Sequence, residues 1–185
     1  MISVVIATEG QDRAVVPTLA ALVAGAAAGV VREVILVDRA PSELLRTVAD
    51  ATGCELVETD GACGAALAAG ATRAKSDWLM FLRPGMVPEH GWVDDLARFI
   101  EDGSLSGDGQ MRAALFSIAG ARPLAALMRA LRLTGPSPDQ GLVIARALYR
   151  EIGGHGTGPR AEERLLRRIG RARRVTLASR IQPPR

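Results

Sequence analysis

Four times in its first hundred residues this chain runs a short, β-branched apolar stretch into a longer segment rich in alanine and leucine. That alternation is the tightest constraint on its fold. Ile2–Ala7, Glu33–Val37, Cys54–Glu58 and Asp77–Leu82 read as strands. Arg13–Ala27, Pro41 to about Ala51, Gly64–Lys75 and Glu89–Glu101 read as the helices between and after them. Asp12 stands where it would cap the first helix, and Pro41 suits the opening turn of the second. Strands apolar on both faces belong in a parallel sheet that is covered on both sides. The expected architecture is therefore α/β: a doubly wound, mostly parallel sheet flanked by helices on both faces. Right-handed crossovers gather the loops Thr8–Gln11, Asp38–Ser42, Thr59–Cys63 and Arg83–Pro88 at the strands' C-terminal ends, where such sheets take their ligands.

Beyond Glu101 the alternation lapses. Asp102–Gln110 reads as a polar loop, Met111–Ile118 as a strand and Pro123–Leu133 as a short amphipathic helix. A Gly-Pro-Ser-Pro turn leads into Gln140–Ala145. Helices are expected at Ala147–Ile152 and Arg160–Gly170, and a last strand at Arg173–Leu177. At 185 residues, with no interdomain linker, the chain is one domain. Residues 1–101 form its regular βα half and 102–185 its irregular half. Aromatics are only 3% of the residues, so alanine, valine, leucine and isoleucine must build the core.

Charge is unevenly placed. Residues 160–185 hold nine arginines against Glu162 and Glu163, a balance of +7, which leaves −4 for the rest of a chain whose net charge is +3. A basic terminal helix can meet phosphates, nucleic acid or an anionic membrane, or simply be solvated. No aromatic is interleaved with these arginines, which argues against nucleic acid. Twenty-two arginines and one lysine, with abundant alanine, match the usage of GC-rich bacterial genomes.

Several chemistries lack their motifs. The first loop, Thr8-Glu9-Gly10-Gln11, carries no GxGxxG, and neither a Walker A sequence nor a GxSxG elbow occurs. Cys54 and Cys63 are not spaced as a redox or metal pair and suit a reducing cytosol. The opening residues lack a basic leader, and Val15–Val31 is broken by Pro17 and Gly25, so a cytoplasmic location is expected, without a membrane span. Of the two histidines, His90 reads as a surface residue. His155, in a glycine-rich loop near Glu162 and Glu163, has more interesting neighbours, but the pair makes no metal-site spacing.

Ser3-Val4-Val5-Ile6-Ala7-Thr8, Val34-Ile35-Leu36-Val37-Asp38, Asp77 to Leu82 and Pro88-Glu89-His90-Gly91-Trp92 together resemble a family 2 glycosyltransferase. Asp139-Gln140-Gly141-Leu142, Ile152-Gly153-Gly154 and Ala161-Glu162-Glu163 follow in that family's order, most like its compact bacterial members. The resemblance implies the GT-A fold, a nucleotide-diphosphate-sugar donor and transfer to an acceptor hydroxyl. It divides the domain into a nucleotide-binding half, residues 1–101, and an acceptor-side half, residues 102–185. By position it places Thr8 and Asp38 at the nucleotide, Asp139 and Gln140 at the substrate, and Glu163, preceded by Glu162, at the catalytic base. It also implies Mg²⁺ or Mn²⁺ at the leaving diphosphate, or fixed cations in its stead.

The departures fall on the polar positions. Where the family carries an acidic metal motif after the fourth strand, this chain has Arg83-Pro84-Gly85, which offers no carboxylate. Gly10-Gln11 stands for Asn-Glu, and Arg39-Ala40-Pro41-Ser42-Glu43 for Gly-Gly-Ser-Thr-Asp. Two readings follow. In one, Arg83 or Arg39 supplies charge that a metal would have given. In the other, a catalytically inactive GT-A domain serves as a binding or regulatory subunit. The acceptor is unknown, and the short stretch after Leu177 leaves a homodimer or partner protein to close over it. The basic C-terminal helix offers peripheral contact with a membrane.

Overall fold

The computed structural model describes residues 1–105, 112–120, 135–158 and 160–184, without the side chains of residues 104 and 105. Eight strands form one sheet in the order β3-β2-β1-β4-β7-β6-β8-β5. The first four are β1 (Ile2–Ala7), β2 (Val31–Asp38), β3 (Glu55–Glu58) and β4 (Trp78–Leu82), all mutually parallel. Every residue of β1 and β4 is buried, as the two-sided apolar pattern requires. Their helices are α1 (Asp12–Ala27), α2 (Glu43–Thr52) and α3 (Cys63–Arg73), with α4 (Trp92–Leu105) after β5 (Val87–Pro88).

The remainder is woven in with mixed directions. β7 (Leu142–Ala145) pairs antiparallel with β4 and with β6 (Ala113–Ile118). β8 (Arg174–Gln182) runs parallel to β6 and antiparallel to β5. Two short helices complete the described chain, α5 (Arg146–Glu151) and α6 (Ala161–Ile169). No helix among the described residues is long and apolar enough to cross a membrane.

Five expectations are corrected, the first being Pro41, which precedes the Ser42 cap of α2 because that helix begins only at Glu43. Asp12 is the first residue of α1 and not its cap; its Oδ2 accepts a 2.5 Å bond from the Ser42 hydroxyl, tying α1 to the cap of α2. Arg83–Pro88 is not all loop, because Val87 and Pro88 pair with Gln182 and Ile181. The last strand continues to Gln182 instead of ending at Leu177. The expected loop from Asp102 begins as helix, since α4 runs to Leu105. The helix predicted at 123–133 lies outside the described residues.

Close packing holds α3 on the sheet. A Cβ added at Gly70 would run into Val5 Cγ1 and come within 3.0 Å of Val37 Cγ2, so the helix backbone rests directly on β1 and β2.

Candidate functional site

Strand order reverses about β1, with β2 on one side and β4 on the other, so a crevice opens beyond their C-terminal ends. Two polar clusters stand at its edges.

The first is built on Asp38, the last residue of β2 and 5% exposed. Its carboxylate accepts hydrogen bonds from the buried Thr8 hydroxyl, from Gly10 N at 3.1 Å and from Ala40 N at 2.9 Å. Burial pushes the carboxyl's pKa up, but these donors outweigh it and hold it below the ordinary value. Asp38 and Thr8 thus meet, and together they order both the first and second loops.

The second cluster is built on Arg83, which follows β4. Its Nη2 lies 2.7 Å and its Nε 3.2 Å from Glu162 Oε2, while Nη1 donates to Asp139 Oδ1 at 2.8 Å. Glu162 sits in the first turn of α6, where its charge also suits the helix N-terminus. Asp139 sits in a 3₁₀ turn, Pro138–Gln140. Arg83 therefore clasps three separate segments. Burial lowers the guanidinium pKa, and its two carboxylate partners more than reverse that.

Gln140 is buried, with both ends of its amide engaged: Nε2 donates to Phe116 O and Oε1 accepts from Ser137 N, each at 3.0 Å. It fixes the turn that carries Asp139. Glu163 is half-buried and makes no ion pair with a described residue. It lies beside the clasp in sequence without belonging to it.

Cys63, the first residue of α3, lies between the clusters. Burial, then the negative charges of Glu162 and Glu9, push its thiol up to about 12, so it stays protonated and is no nucleophile. The two non-glycine residues with positive φ among the described residues also border this region: Glu9 at 48° and Arg160 at 54°. Strained backbone of this kind persists where surrounding contacts over-determine it.

His155 lines a narrow pocket behind Glu162 with Phe81, Pro138 and Leu142. The Tyr149 hydroxyl accepts from His155 N and lies 3.0 Å from Nδ1. The hydroxyl thus bridges the backbone and the ring of the same histidine. The ring meets Phe81 edge-on at 4.6 Å. Sequence proximity to Glu162 and Glu163 flagged this histidine; its packing makes it a buried structural group, and no pattern in the sequence pointed to Tyr149 as its partner.

Gly64 lets α3 approach the rest of the site. A Cβ there would run into the Gly156 carbonyl oxygen and stand 2.5 Å from Ala161 Cβ. Gly64→Ala is expected to cost about 2 kcal/mol, overpacking outweighing the gain in helix propensity. Urea unfolding checks this, and unchanged stability would mean that the α3–α6 contact is loose.

The divalent cation implied by the family resemblance does not fit these residues. The carboxylates that converge beyond β4, Asp139 and Glu162, already share a guanidinium. Among the described residues no group of three or more His, Cys, Asp or Glu side chains forms a metal site.

No protein-family model and no curated sequence matches the chain. Solved structures do. Staphylococcus aureus TarS 1–349 superposes with a TM-score of 0.75 at 12% identity, over 99% of this chain and 60% of that one. GalNAc-T7 with UDP, GalNAc and Mn²⁺ gives 0.73 at 14%, over 100% and 44%. Glucosyl-3-phosphoglycerate synthase from Mycobacterium tuberculosis, with Mn²⁺, UDP and glucosyl-3-phosphoglycerate, gives 0.66 at 19%, over 95% and 68%. The chain spans 60% of the TarS 1–349 chain and less than half of GalNAc-T7. At these identities the likeness is one of architecture, and it establishes that the chain has the GT-A glycosyltransferase fold.

Proposed function

We propose that the chain is a metal-independent glycosyltransferase of GT-A type that moves a sugar from a nucleotide diphosphate to an acceptor hydroxyl. The observation that carries this reading is how Arg83 is held. Glu162 and Asp139 engage Nε–H and one N–H on each terminal nitrogen, which leaves one on Nη1 and one on Nη2. A guanidinium fixed in place presents that remaining pair without losing further side-chain freedom, and such a fork suits diphosphate oxygens. UDP in the solved structures of two proteins of this fold supports the donor class.

In this reading residues 1–101 hold the donor and 102–185 form the acceptor side. Thr8 and Asp38 shape the nucleoside side of the crevice, and Asp139 and Gln140 set the turn that steadies Arg83. Glu163 serves as the base. As the acceptor oxygen attacks the anomeric carbon, its proton passes to the Glu163 carboxylate and the nucleoside diphosphate departs toward Arg83. Among the described residues its charge is not taken up by a fixed cation, which suits Glu163 to that task.

A second reading has its own observation. Two carboxylates on one guanidinium leave the Arg83 cluster with a net charge of −1, unfavourable to a diphosphate. A silent GT-A domain acting as a binding or regulatory subunit would have no need of a better balance.

Calorimetric titration with UDP, GDP, dTDP and CDP separates the two. One nucleotide is expected to bind, with Arg83→Ala weakening it by roughly tenfold to a hundredfold, the worth of a charge-assisted hydrogen bond. Glu163→Gln is expected to keep that affinity and lose transfer. Absence of affinity for all four nucleotides would leave the silent domain as the better account.

A further inference from the structure

We infer that the solvent face of α6 is a docking surface for an anionic lipid bilayer. Arg160, Arg164 and Arg167 recur at the spacing of one helix face, and Arg171 follows just past its end. All four are exposed, and none makes an ion pair with a described residue. Arg46, Arg73, Lys75, Arg98 and Arg173 each reach a carboxylate, and the exposed arginines elsewhere without one, Arg13, Arg32, Arg39, Arg150 and Arg180, come from separate elements, whereas these four follow one another along one helix and its end. Of the helix's own acids, Glu162 turns inward to Arg83, while Glu163, one turn before Arg167, offsets part of the row's charge. Ala161, Leu165, Leu166 and Ile169 pack the opposite face into the core, so the arginines lie on the face turned away from it.

The row continues into a wider field. Arg168 donates to Ile152 O and Gly154 O, and Arg174 to Leu166 O, which pins two further positive charges beside the free ones. Burial, and to a smaller extent the neighbouring Arg171 charge, lowers the Arg174 pKa. Val175, 40% exposed, stands next to Arg174 and adds an apolar contact at the edge of the field.

The occupant follows from what the face lacks. No aromatic residue occurs after Tyr149, so there is nothing on which bases could stack. A bilayer needs no stacking: it presents phosphates on a broad plane, and guanidinium groups take phosphate oxygens at whatever spacing they meet. This inference stands on the charge distribution and is independent of the donor-site reading.

The test is co-sedimentation of the whole chain with phosphatidylcholine vesicles, with and without phosphatidylglycerol. Binding is expected only with phosphatidylglycerol, and weaker as salt is raised. A triple variant, Arg164→Gln with Arg167→Gln and Arg171→Gln, touches no recorded hydrogen bond and should keep the wild-type melting temperature. At about fivefold per arginine near an anionic leaflet, it is expected to lose roughly a hundredfold in partition. Binding that ignores phosphatidylglycerol, or is unchanged in the triple variant, overturns the proposal. So does tighter binding to single-stranded DNA than to the anionic vesicles at equal salt, which would make the face a nucleic-acid surface.

Discussion

Between neutral pH and about pH 4, His155 alone is expected to remove about 3 kcal/mol from the stability of the folded chain. Burial, with a smaller contribution from the Arg168 charge, lowers its pKa from 6.5 to about 4 in the fold. The unfolded chain takes up a proton near 6.5, whereas the folded one resists until about 4. Across that window the unfolded state binds more protons, so stability falls as pH falls, and above it the contribution is fully present. Geometry supplies the cause. The ring is 7% exposed, wedged against Phe81, and its Nδ1 is turned to the Tyr149 hydroxyl. Protonation would place a charged ring in this buried, apolar setting beside the Arg168 charge. Urea unfolding at a series of pH values should show His155→Gln with a shallower loss than the wild type. Parallel curves for the two proteins would mean that the histidine titrates freely.

Asp38→Ala is expected to cost about 3 kcal/mol, because several donors lose one charged acceptor together. Thr8 retains the Val37 carbonyl at 3.2 Å, but the Gly10 and Ala40 amides have no second partner recorded, and water must replace the carboxylate at both. At this chain length that corresponds to a fall in melting temperature of roughly 10 °C. Asp38→Asn keeps one carbonyl oxygen and should lose less. Acid acts in the same direction as the substitution: a carboxyl held below 3.8 contributes stability above that pH and loses it as pH falls through its folded value. The loop carrying Glu9, at φ 48°, should loosen with it, so nucleotide affinity is expected to fall too. Unchanged affinity in Asp38→Ala would remove this residue from the nucleotide site.

The parallel half of the fold was legible because its signals are local. β1 and β4 are buried on both faces and read as unbroken apolar runs, and Asp38 marks the end of β2 by breaking one. The irregular half depends on pairings between distant segments, which no local pattern carries. β7 lies between β4 and β6, although β6 precedes it in the chain. β5 is two residues long and is a strand only because β8 passes beside it.

The same distinction applies to the site. Arg83 could be singled out as the residue standing where an acidic motif was expected. That Glu162, 79 positions away, and Asp139, 56 away, would both close on it is a property of the folded crevice alone. Gln140 illustrates the converse. A polar residue next to Asp139 looks like a ligand in sequence, yet its amide links Ser137 to Phe116 and is buried. His155 became a core group for a similar reason: its partner Tyr149 belongs to α5, and only the turn through Gly153 and Gly154 brings the two rings together.

A guanidinium held by two carboxylates follows β4, at the position where the sequence resemblance stated above implies a divalent metal. Titrating the wild-type chain with the nucleotide it prefers, once in EDTA and once with saturating Mn²⁺, tests that most directly. The expected result is measurable affinity in EDTA that Mn²⁺ leaves unchanged. Affinity that appears only with Mn²⁺ would contradict it, since the carboxylates would then have to leave Arg83 to hold the ion.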